Sequence, residues 1–595
     1  MSTSELIAFY SKRKENFSQQ LAETTSQING ISNVRLIVAA LFIIFTYLGL
    51  TKDTGFFLVL PVFVIAFIFL VRSHAKLFDS KTHLQNLVAI NDEELRSLNG
   101  DVSKLAAGTE FIDPHHAYSH DLDIFGAGSL FQWINRANTL IGKKKFGERL
   151  AFPLTSDESI RQNQDAIREL SAKPDFRQDF QAAGKEIDEH EQDREKLLAW
   201  LKQPAFLFGK RSYQVVLFVL PALTLSLLVA AFIDFRFRPF VILFAIFQWG
   251  FLGLHMKKVN AFHEYVSRKK NILQKYALLL HYFQKQQFTS LLLKSYTQKA
   301  HNADVKVKQL ASLVYALDAR MNVMTSLFTN SFLLYDLQCV YRLEKWKEEN
   351  AANLEQWLDT VSEMEVLNSF STFTFNHQNF TFPTIHGRLA VSARLLGHPL
   401  IRPEECVAND FSIGNGPSVL IITGANMAGK STFLRTIGIN LILALNGSPV
   451  CAESFACPVI KLRTGMRTAD SLKDHQSYFY AELDRLKGIM DELRRDVPLL
   501  ILLDEILKGT NSVDKQAGSI ALVKQLLPHP CLAVIATHDL ALGELEREYP
   551  AKVKNYCFEA NINNDQLSFD YKLKLGMATK MNATFLMKKM GIIPA

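Results

Sequence analysis

Hydrophobic residues concentrate in four long runs, at residues 34–50, 56–71, 213–233 and 239–255. A helix that crosses the apolar core of a bilayer, about 30 Å thick, needs about 17–25 residues. Only a few residues separate the two runs of each pair, and a helix satisfies its own backbone hydrogen bonds. The pattern therefore predicts two transmembrane helical hairpins, at residues 33–72 and 213–256. The alternative is that the four runs are buried core helices of a soluble protein.

Basic residues flank both predicted hairpins on the side of the chain termini. They are Lys12, Arg13, Lys14, Arg35, Arg72, Lys76, Lys210, Arg211, Lys257 and Lys258. Because cytoplasmic loops of membrane proteins carry an excess of Lys and Arg, both termini and the middle segment are predicted to be cytoplasmic. The chain is thus predicted to be a multi-pass membrane protein with four helices, a lipid bilayer as partner, and a cytoplasmic N-terminal segment at residues 1–32.

Two further regions have helical patterns. Apolar residues at helical spacing, such as Leu130, Trp133 and Ile134, predict a helical core region at 75–205. Region 257–385 is almost free of Gly and Pro, which favours long lever-like helices. Its first third carries six lysines that form either a nucleic-acid or lipid-headgroup face or an ordinary solvated face: Lys269, Lys270, Lys275, Lys285, Lys294 and Lys299.

The pattern changes after Gly387, where short apolar runs alternate with helical segments. The runs at residues 418–423, 498–503 and 531–537 are continuous, as in buried parallel strands. Residues 386–595 are therefore predicted to form an α/β domain.

Composition narrows the class of protein. The 595 residues carry a net charge of +7, and 48% of them are hydrophobic while 21% are charged. These values exclude a disordered polyelectrolyte. The six cysteines form no CxxC pair, so neither a zinc site nor a disulfide framework is indicated.

A glycine-rich loop follows the first predicted strand of the α/β domain and leads into a helix. It comprises Gly424, Ala425, Asn426, Met427, Ala428, Gly429, Lys430, Ser431 and Thr432. This is the GxxxxGKS pattern, whose backbone N–H groups surround phosphate oxygens at a helix N-terminus. Lys430 is expected to reach the β- and γ-phosphates, and the Ser431 hydroxyl is expected to ligate Mg²⁺. The loop predicts binding of ATP with Mg²⁺.

Polar residues end the other two strands. Asp504 is placed to hold the Mg²⁺ shell and Glu505 to polarise the attacking water. The alternative for this pair is an acidic strand end that faces solvent. His538 is a candidate γ-phosphate sensor, although a single histidine at a strand end is more often structural. Between the strands, Ser477 opens a helix whose dipole can face a phosphate, or it is simply a helix start.

These motifs resemble the ATPase domain of the MutS family of DNA mismatch-repair proteins. Four blocks carry the resemblance: TGANMAGKSTFLRTIGINLILALNGSPVCAE, LRTGMRTADSLKDHQSYFYAEL, LLDEILKGTNSVD and IATHDLALGEL. Residues 122–171 resemble the start of the family's helical core. The resemblance covers about residues 122–171 and 385–593.

The resemblance implies a P-loop ATPase domain of the ABC type at the C-terminus, after an all-α core and lever region. The apolar pattern places the two transmembrane hairpins in this region, in space that the classical family members do not use. The resemblance also implies a homodimer of ATPase heads arranged head to tail. Each active site then takes the phosphate loop of one subunit and Ser477 of the other, and Asp514 lies at the subunit junction.

Three features depart from the family pattern. Residues before 75 do not resemble the mismatch-reading domain. The DEILKGT block carries Leu507 and Lys508 where the family has Gly and Arg. Cys406 stands where relatives often carry an aromatic residue that stacks on adenine.

The first functional interpretation is a membrane-anchored MutS-like ATPase that binds mismatched or branched DNA as a clamp. The alternative is an ATP-driven membrane transport or remodelling machine with no DNA role. Against a transport role, the hairpins contain almost no ionisable residues, which usually mark a translocation route. A third interpretation is a scaffold with a nucleotide-stabilised head.

Overall fold

The computed structural model describes residues 2–185, 191–267, 269–425, 427–467, 478–507, 510–563, 566–578 and 592–593. Helices dominate the chain before residue 384. They are α1 (Thr3–Thr51), α2 (Leu60–Leu98), α3 (Leu130–Ile134), α4 (Leu140–Ala151), α5 (Asp157–Ser171), α6 (Pro174–Gly184), α7 (Glu191–Lys202), α8 (Arg211–Ile233), α9 (Arg238–Val266), α10 (Lys270–Lys285), α11 (Leu291–Lys299), α12 (Ala303–Asp318), α13 (Val323–Leu333) and α14 (Tyr335–Asn376).

The first hairpin consists of α1 and α2, which pack against each other. α1 begins at a capping box: the Ser2 hydroxyl accepts a hydrogen bond from Glu5 N, and the Glu5 carboxylate accepts one from Ser2 N. The predicted N-terminal segment 1–32 and the first apolar run form this one helix. The glycine near their junction, Gly30, costs only about 1 kcal/mol and does not end the helix.

The polar ends of this hairpin pack against the rest of the helical region. This region, which comprises the residues before 384 outside the two hairpins, is called the helical body below. Leu84, Leu87 and Ile90 of α2 form a small buried cluster with Ala182 of α6. The Tyr10 hydroxyl of α1 donates to Asn376 Oδ1 at the end of α14, at 2.7 Å.

The second hairpin consists of α8 and α9. Inside it, the buried Gln248 Nε2 donates to Thr224 Oγ1 at 2.6 Å. By length and composition, all four hairpin helices can cross a membrane, and the most apolar windows of α1, α2, α8 and α9 are only 6%, 0%, 28% and 22% buried.

The lever-like region is helical, as predicted, but it is divided into several helices. α14 is the longest, with 42 residues. The lysines of this region do not form one exposed face, because Lys269 and Lys275 are buried. Lys270 places its ammonium over the Tyr315 ring, 3.8 Å from the centroid.

Strands and helices alternate in the C-terminal region. The strands are β1 (Thr384–Ile385), β2 (Val391–Leu396), β3 (Asn409–Ile413), β4 (Val419–Gly424), β5 (Ser454–Cys457), β6 (Lys461–Gly465), β7 (Leu499–Asp504), β8 (Cys531–Thr537), β9 (Val553–Asn563) and β10 (Gln566–Leu575). The helices are α15 (Lys430–Leu445), α16 (Tyr478–Leu493), α17 (Ser512–Leu526) and α18 (Leu545–Glu548).

The strands form two sheets. The larger has the order β10-β9-β4-β8-β7-β6, in which only the β9–β10 pair is antiparallel. The smaller has the order β1-β5-β2-β3. β4, β7 and β8 are the three strands predicted from sequence, and all are buried along their length except at Asp504. Because they are parallel, their carboxyl ends meet at one edge of the sheet.

Candidate functional site

The glycine-rich loop lies between β4 and α15, and its glycines are required by close contacts. Gly424 has a φ of +153°, and a Cβ there would lie 2.6 Å from the Phe558 carbonyl oxygen. Gly429 has a φ of +105°, and a Cβ there would lie 3.1 Å from the Tyr571 ring. The left-handed region is accessible to glycine without steric cost. The loop therefore holds a shape that other residues resist.

Lys430 begins α15 and folds back over the loop. Its ammonium donates to the carbonyl oxygens of Gly424 and Ala425, at 2.5 and 2.9 Å. Burial lowers the pKa of Lys430, while the carboxylates of Glu505 and Asp504 act in the opposite direction. The lysine is thus held in the loop by contacts that a phosphate can replace.

Ser431 and Asp504 join the loop to the end of β7. The Ser431 hydroxyl donates to Asp504 Oδ2 at 2.5 Å. The structure therefore brings together the two residues that the sequence predicts as Mg²⁺ ligands, one from each side of β8.

Glu505 and His538 form a second polar pair at the same edge. His538 Nδ1 lies 3.0 Å from Glu505 Oε1. Glu505 has a φ of +59°, and its backbone N–H donates to the Ala536 carbonyl at 2.9 Å. The α16 residue Glu482 accepts the Leu507 N–H at 2.6 Å. This loop is therefore fixed at both ends, with its carboxylate oriented by the imidazole ring.

A cavity of about 600 Å³ opens over these residues. Its walls come from the loop, β7, β10 and the segment after β2. The lining includes His398, Ile401, Cys406, Ala425, Met427, Gly429, Lys430, Ser431, Thr432, Asp504, Glu505, Phe558 and Tyr571. Burial lowers the pKa of His398 to about 4, so its imidazole is neutral at neutral pH.

Tyr571 is a site residue that the sequence reasoning missed. It lies on β10 at a register shift between Phe569 and Leu573, and has a φ of +52°. The shift turns its ring over Gly429. No spacing signal in the sequence connects Tyr571 with the loop.

Cys406 lines the same cavity and lies beside a second cysteine. A Cβ on Gly397 would be 2.9 Å from the sulfur atoms of both Cys406 and Cys451. The hydrogen bond from the Cys451 thiol lowers the pKa of the Cys406 thiol. Cys406 therefore presents a thiol, and no aromatic ring, to the cavity.

Some predicted site residues lie outside the described residues: Asn426 of the loop, Ser477 and Lys508. The expected contact of Ser477 with a second subunit therefore stays a prediction. Asp514 lies in the first turn of α17, where its N–H donates to the Asn511 side chain at 2.8 Å.

Two aspartates of the helical body bind the elements around the cavity. Asp121 is fully buried and accepts hydrogen bonds from Thr464, from the backbone of residues 466 and 467, and from Arg485 of α16 at 3.0 Å. Asp123 pairs with Arg467 at 2.5 Å and with Arg435 of α15 at 2.9 Å. The helical body thus contacts the helices that follow the loop and residue 477. The sequence reasoning also missed these contacts, because the two aspartates are far from their partners in the sequence.

The family comparison agrees with this arrangement. The sequence model of MutS domain III matches residues 118–497, which is more than half of the chain. That of MutS domain V matches residues 420–594. The chain belongs to the MutS family. Its C-terminal α/β region is MutS domain V, and an α-rich region precedes it.

Individual MutS relatives match over part of their length. The DNA mismatch repair protein MutS of Thermotoga maritima is 29% identical over 251 residues, which are 41% of this chain and 31% of the relative. MutS protein homolog 4 of Mus musculus is 32% identical over 234 residues, 38% of this chain and 24% of the relative. The DNA mismatch repair protein MutS of Chloroflexus aurantiacus is 33% identical over 205 residues, 33% of this chain and 21% of the relative. The chain therefore spans less than a third of the length of these relatives.

Proposed function

We propose that this MutS-family chain binds ATP with Mg²⁺ and hydrolyses it in the cavity above β4 and β7. The observation that carries the proposal is the direct Ser431–Asp504 contact of 2.5 Å beside Lys430. It unites the phosphate loop and the strand-end carboxylate in one cavity, in the context of domain V.

The donor set fits a magnesium ion. Mg²⁺ takes oxygen ligands and is typically held by one or two carboxylates together with substrate phosphates. Ser431 and Asp504 would supply a hydroxyl and a carboxylate oxygen. The bound ion would neutralise charge on the β- and γ-phosphates. Lys430 would exchange its two carbonyl partners for phosphate oxygens.

Glu505 and His538 complete the hydrolytic half of the site. The Glu505 carboxylate would orient and polarise the water that attacks the γ-phosphorus. His538 would hold that carboxylate through its Nδ1 contact and offer its other nitrogen to the phosphate. Tyr571 would supply an aromatic face for adenine, which Cys406 cannot do.

We further propose that two heads assemble head to tail. Support comes from the family relationship and from the exposed start of α17, where Val513 is 73% exposed beside Asp514. In this arrangement Ser477 of one chain would complete the site of the other.

Membrane anchoring through both hairpins is also part of the proposal, with both termini and the head cytoplasmic. It is supported by the large apolar side chains that the hairpins expose, such as Leu36, Leu58 and Phe232 at 72%, 83% and 85%. Burying such surface stabilises by about 25 cal/mol per Å², so an apolar environment is strongly favoured.

DNA clamping follows from the family relationship, since the bacterial relatives named above are DNA mismatch repair proteins. The second candidate is a membrane remodelling machine with no DNA role. It is favoured by α14, which begins beside the second hairpin and whose last turn lines a cavity together with Leu395 of the small sheet.

The test is a comparison of nucleotide binding, ATP turnover and dimer formation in the purified full chain. Glu505→Gln should bind ATP and accumulate as a dimer, because the closed state forms but the water is no longer activated. Glu544→Gln, a surface carboxylate, is the matched control. A Glu505→Gln protein that turns over ATP like the control would remove Glu505 from this role.

A further inference from the structure

The short helix α13 exposes an apolar surface that the membrane-spanning segments do not account for. Val323, Met324, Leu327 and Phe328 are 78%, 63%, 48% and 58% exposed. With 11 residues, α13 is about 16 Å long, too short to cross a bilayer. An apolar helix of this length is typical of a buried core element or of a segment seated at a membrane surface. The exposure of α13 excludes the first.

α13 lies against the second hairpin. Arg320, just before α13, donates through Nη2 to Asn260 Oδ1 of α9 at 2.9 Å. In the last turn of α13, the Ser331 hydroxyl accepts a hydrogen bond from Trp249 Nε1 at 3.0 Å. Trp249 lies inside the apolar run of α9, whereas Asn260 lies beyond it. The first end of α13 is therefore beside the polar part of α9 and its last turn is beside the apolar part.

The turn after α13 satisfies its polar groups internally. The chain reverses at Leu334, which has a φ of +49°. The buried Asn330 accepts the Asp336 N–H at 3.0 Å and donates to Asp336 Oδ1 at 3.1 Å. Arg320 Nε pairs with Asp336 Oδ2 at 2.9 Å, and Asp336 is almost completely buried.

This internal satisfaction matters because the turn directly follows the last turn of α13, which contacts Trp249 in the apolar run of α9. Irregular backbone at membrane depth is tolerated only where protein groups take up its hydrogen bonds. The turn after α13 meets that condition, while the apolar side chains of the same helix point outward.

We infer that α13 is inserted into the cytoplasmic leaflet beside the second hairpin, with the acyl chains of that leaflet covering Val323, Met324, Leu327 and Phe328. This inference rests on the proposed membrane anchoring and extends it to a segment that does not span. We assign lipid as the occupant because α13 packs against α9, whose side chains Phe247 and Leu254 are 61% and 82% exposed and, in the proposed anchoring, face lipid.

The inserted helix is joined directly to α14. It begins at Tyr335, directly after the turn, and continues for 42 residues. A shift of α14 along its axis would therefore move α13 relative to the leaflet.

The test uses the full chain in lipid nanodiscs with an environment-sensitive NBD fluorophore attached at single introduced cysteines. Phe328→Cys reports on α13. Ile246→Cys, 63% exposed on α9, reports on the proposed span, and Val305→Cys, 61% exposed on α12, reports on the helical body. The unsubstituted chain gives the background from the native cysteines. Leu327→Cys serves as a second probe of α13 if Phe328→Cys does not fold.

The inference predicts that dithionite reduces the Phe328 label on the order of tenfold more slowly than the Val305 label, and that doxyl-labelled lipid quenches it. A Phe328 label reduced as fast as the Val305 label, with the Ile246 label protected, overturns the inference and leaves the anchoring intact. Protection without quenching by lipid means that protein covers α13, which also overturns it. Rapid reduction of the Ile246 label overturns the anchoring itself.

Discussion

The two apolar hairpins differ in how the rest of the chain holds them. The most apolar windows of the first are 6% and 0% buried, whereas those of the second are 28% and 22% buried. The first is attached at its polar base, through α2 with α6 and through Tyr10 with Asn376. The second is contacted by α13 and α14.

The second hairpin and the segment before it are hydrogen-bonded to the first part of α14. Gln338 of α14 donates to the Leu217 carbonyl of α8 at 3.2 Å, and Gln214 of α8 donates to the Tyr341 hydroxyl at 3.0 Å. The buried Glu344 carboxylate accepts the N–H groups of Phe206, Leu207 and Phe208, at 2.8, 2.9 and 2.8 Å. From this comparison we propose that the first hairpin anchors the chain and that the second moves with α14.

The largest expected effect is on ATP turnover by the C-terminal ATPase domain, and the effects of substitutions near the hairpins are compared with it. Lys430→Ala removes the ammonium that would bind the phosphates, and loss of one such charged contact typically costs about 100-fold or more in turnover. Lys524→Ala, at a surface ion pair, should stay near wild type. Steady-state phosphate release measures both, and equal activities would break the assignment of the loop.

The free energy of unfolding should distinguish the second hairpin from the first, and Glu344→Ala should show the difference most clearly. The substitution leaves the three backbone N–H groups just before α8 without their carboxylate. Because buried donors then lack an acceptor, we expect a loss of about 3 kcal/mol or more in the free energy of unfolding. Asp92→Ala, at a half-exposed pair with Lys14 in the first hairpin, should cost less than about 1 kcal/mol. Thermal unfolding in detergent compares them, and similar losses would erase the proposed difference.

The contacts of Asp121 and Asp123 with the ATPase domain should also be sensitive to substitution. Asp121→Asn leaves the buried end of Arg485 without its counter-charge, which we expect to cost about 3 kcal/mol. Asp123 is 43% exposed, and Asp123→Asn should cost less than about 1 kcal/mol. Unfolding midpoints that fall equally in the two variants would contradict the role of Asp121.

The smallest effect is expected inside the second hairpin. Gln248→Leu removes the hydrogen bond to Thr224, whose hydroxyl also donates to the Leu220 carbonyl. Polar contacts between membrane helices contribute about 0.6 kcal/mol on average, so unfolding should change little. A loss of several kcal/mol would indicate that this pair holds the hairpin together.

Sequence predicted the parts of the site that depend on local chemistry. The loop at 424–432 and the carboxylates after β7 are defined by short patterns whose context is one strand and one turn. The three strands are confirmed because continuous apolar runs are typical of buried parallel strands.

Sequence did not predict features that depend on long-range packing. Tyr571 reaches the loop through a register shift in β10, and Asp121 meets Arg485 across more than 300 residues. Lys275 is buried although lysine composition alone favoured an exposed face. The sequence did not predict α13 as a separate helix, because it lies in a region without Gly and Pro. Periodicity alone does not distinguish a short apolar helix from its neighbours there.

The most direct test of the account is ATP turnover by the full chain in lipid nanodiscs, with Glu505→Gln as the blank. Homoduplex, mismatched and branched DNA are added in turn, at low and high salt. We predict Mg²⁺-dependent turnover that the substitution abolishes, and a response to DNA that weakens with salt because phosphate contacts release counterions. Turnover that is indifferent to every DNA would favour the membrane machine, whereas equal turnover by the wild type and Glu505→Gln would contradict the proposed site.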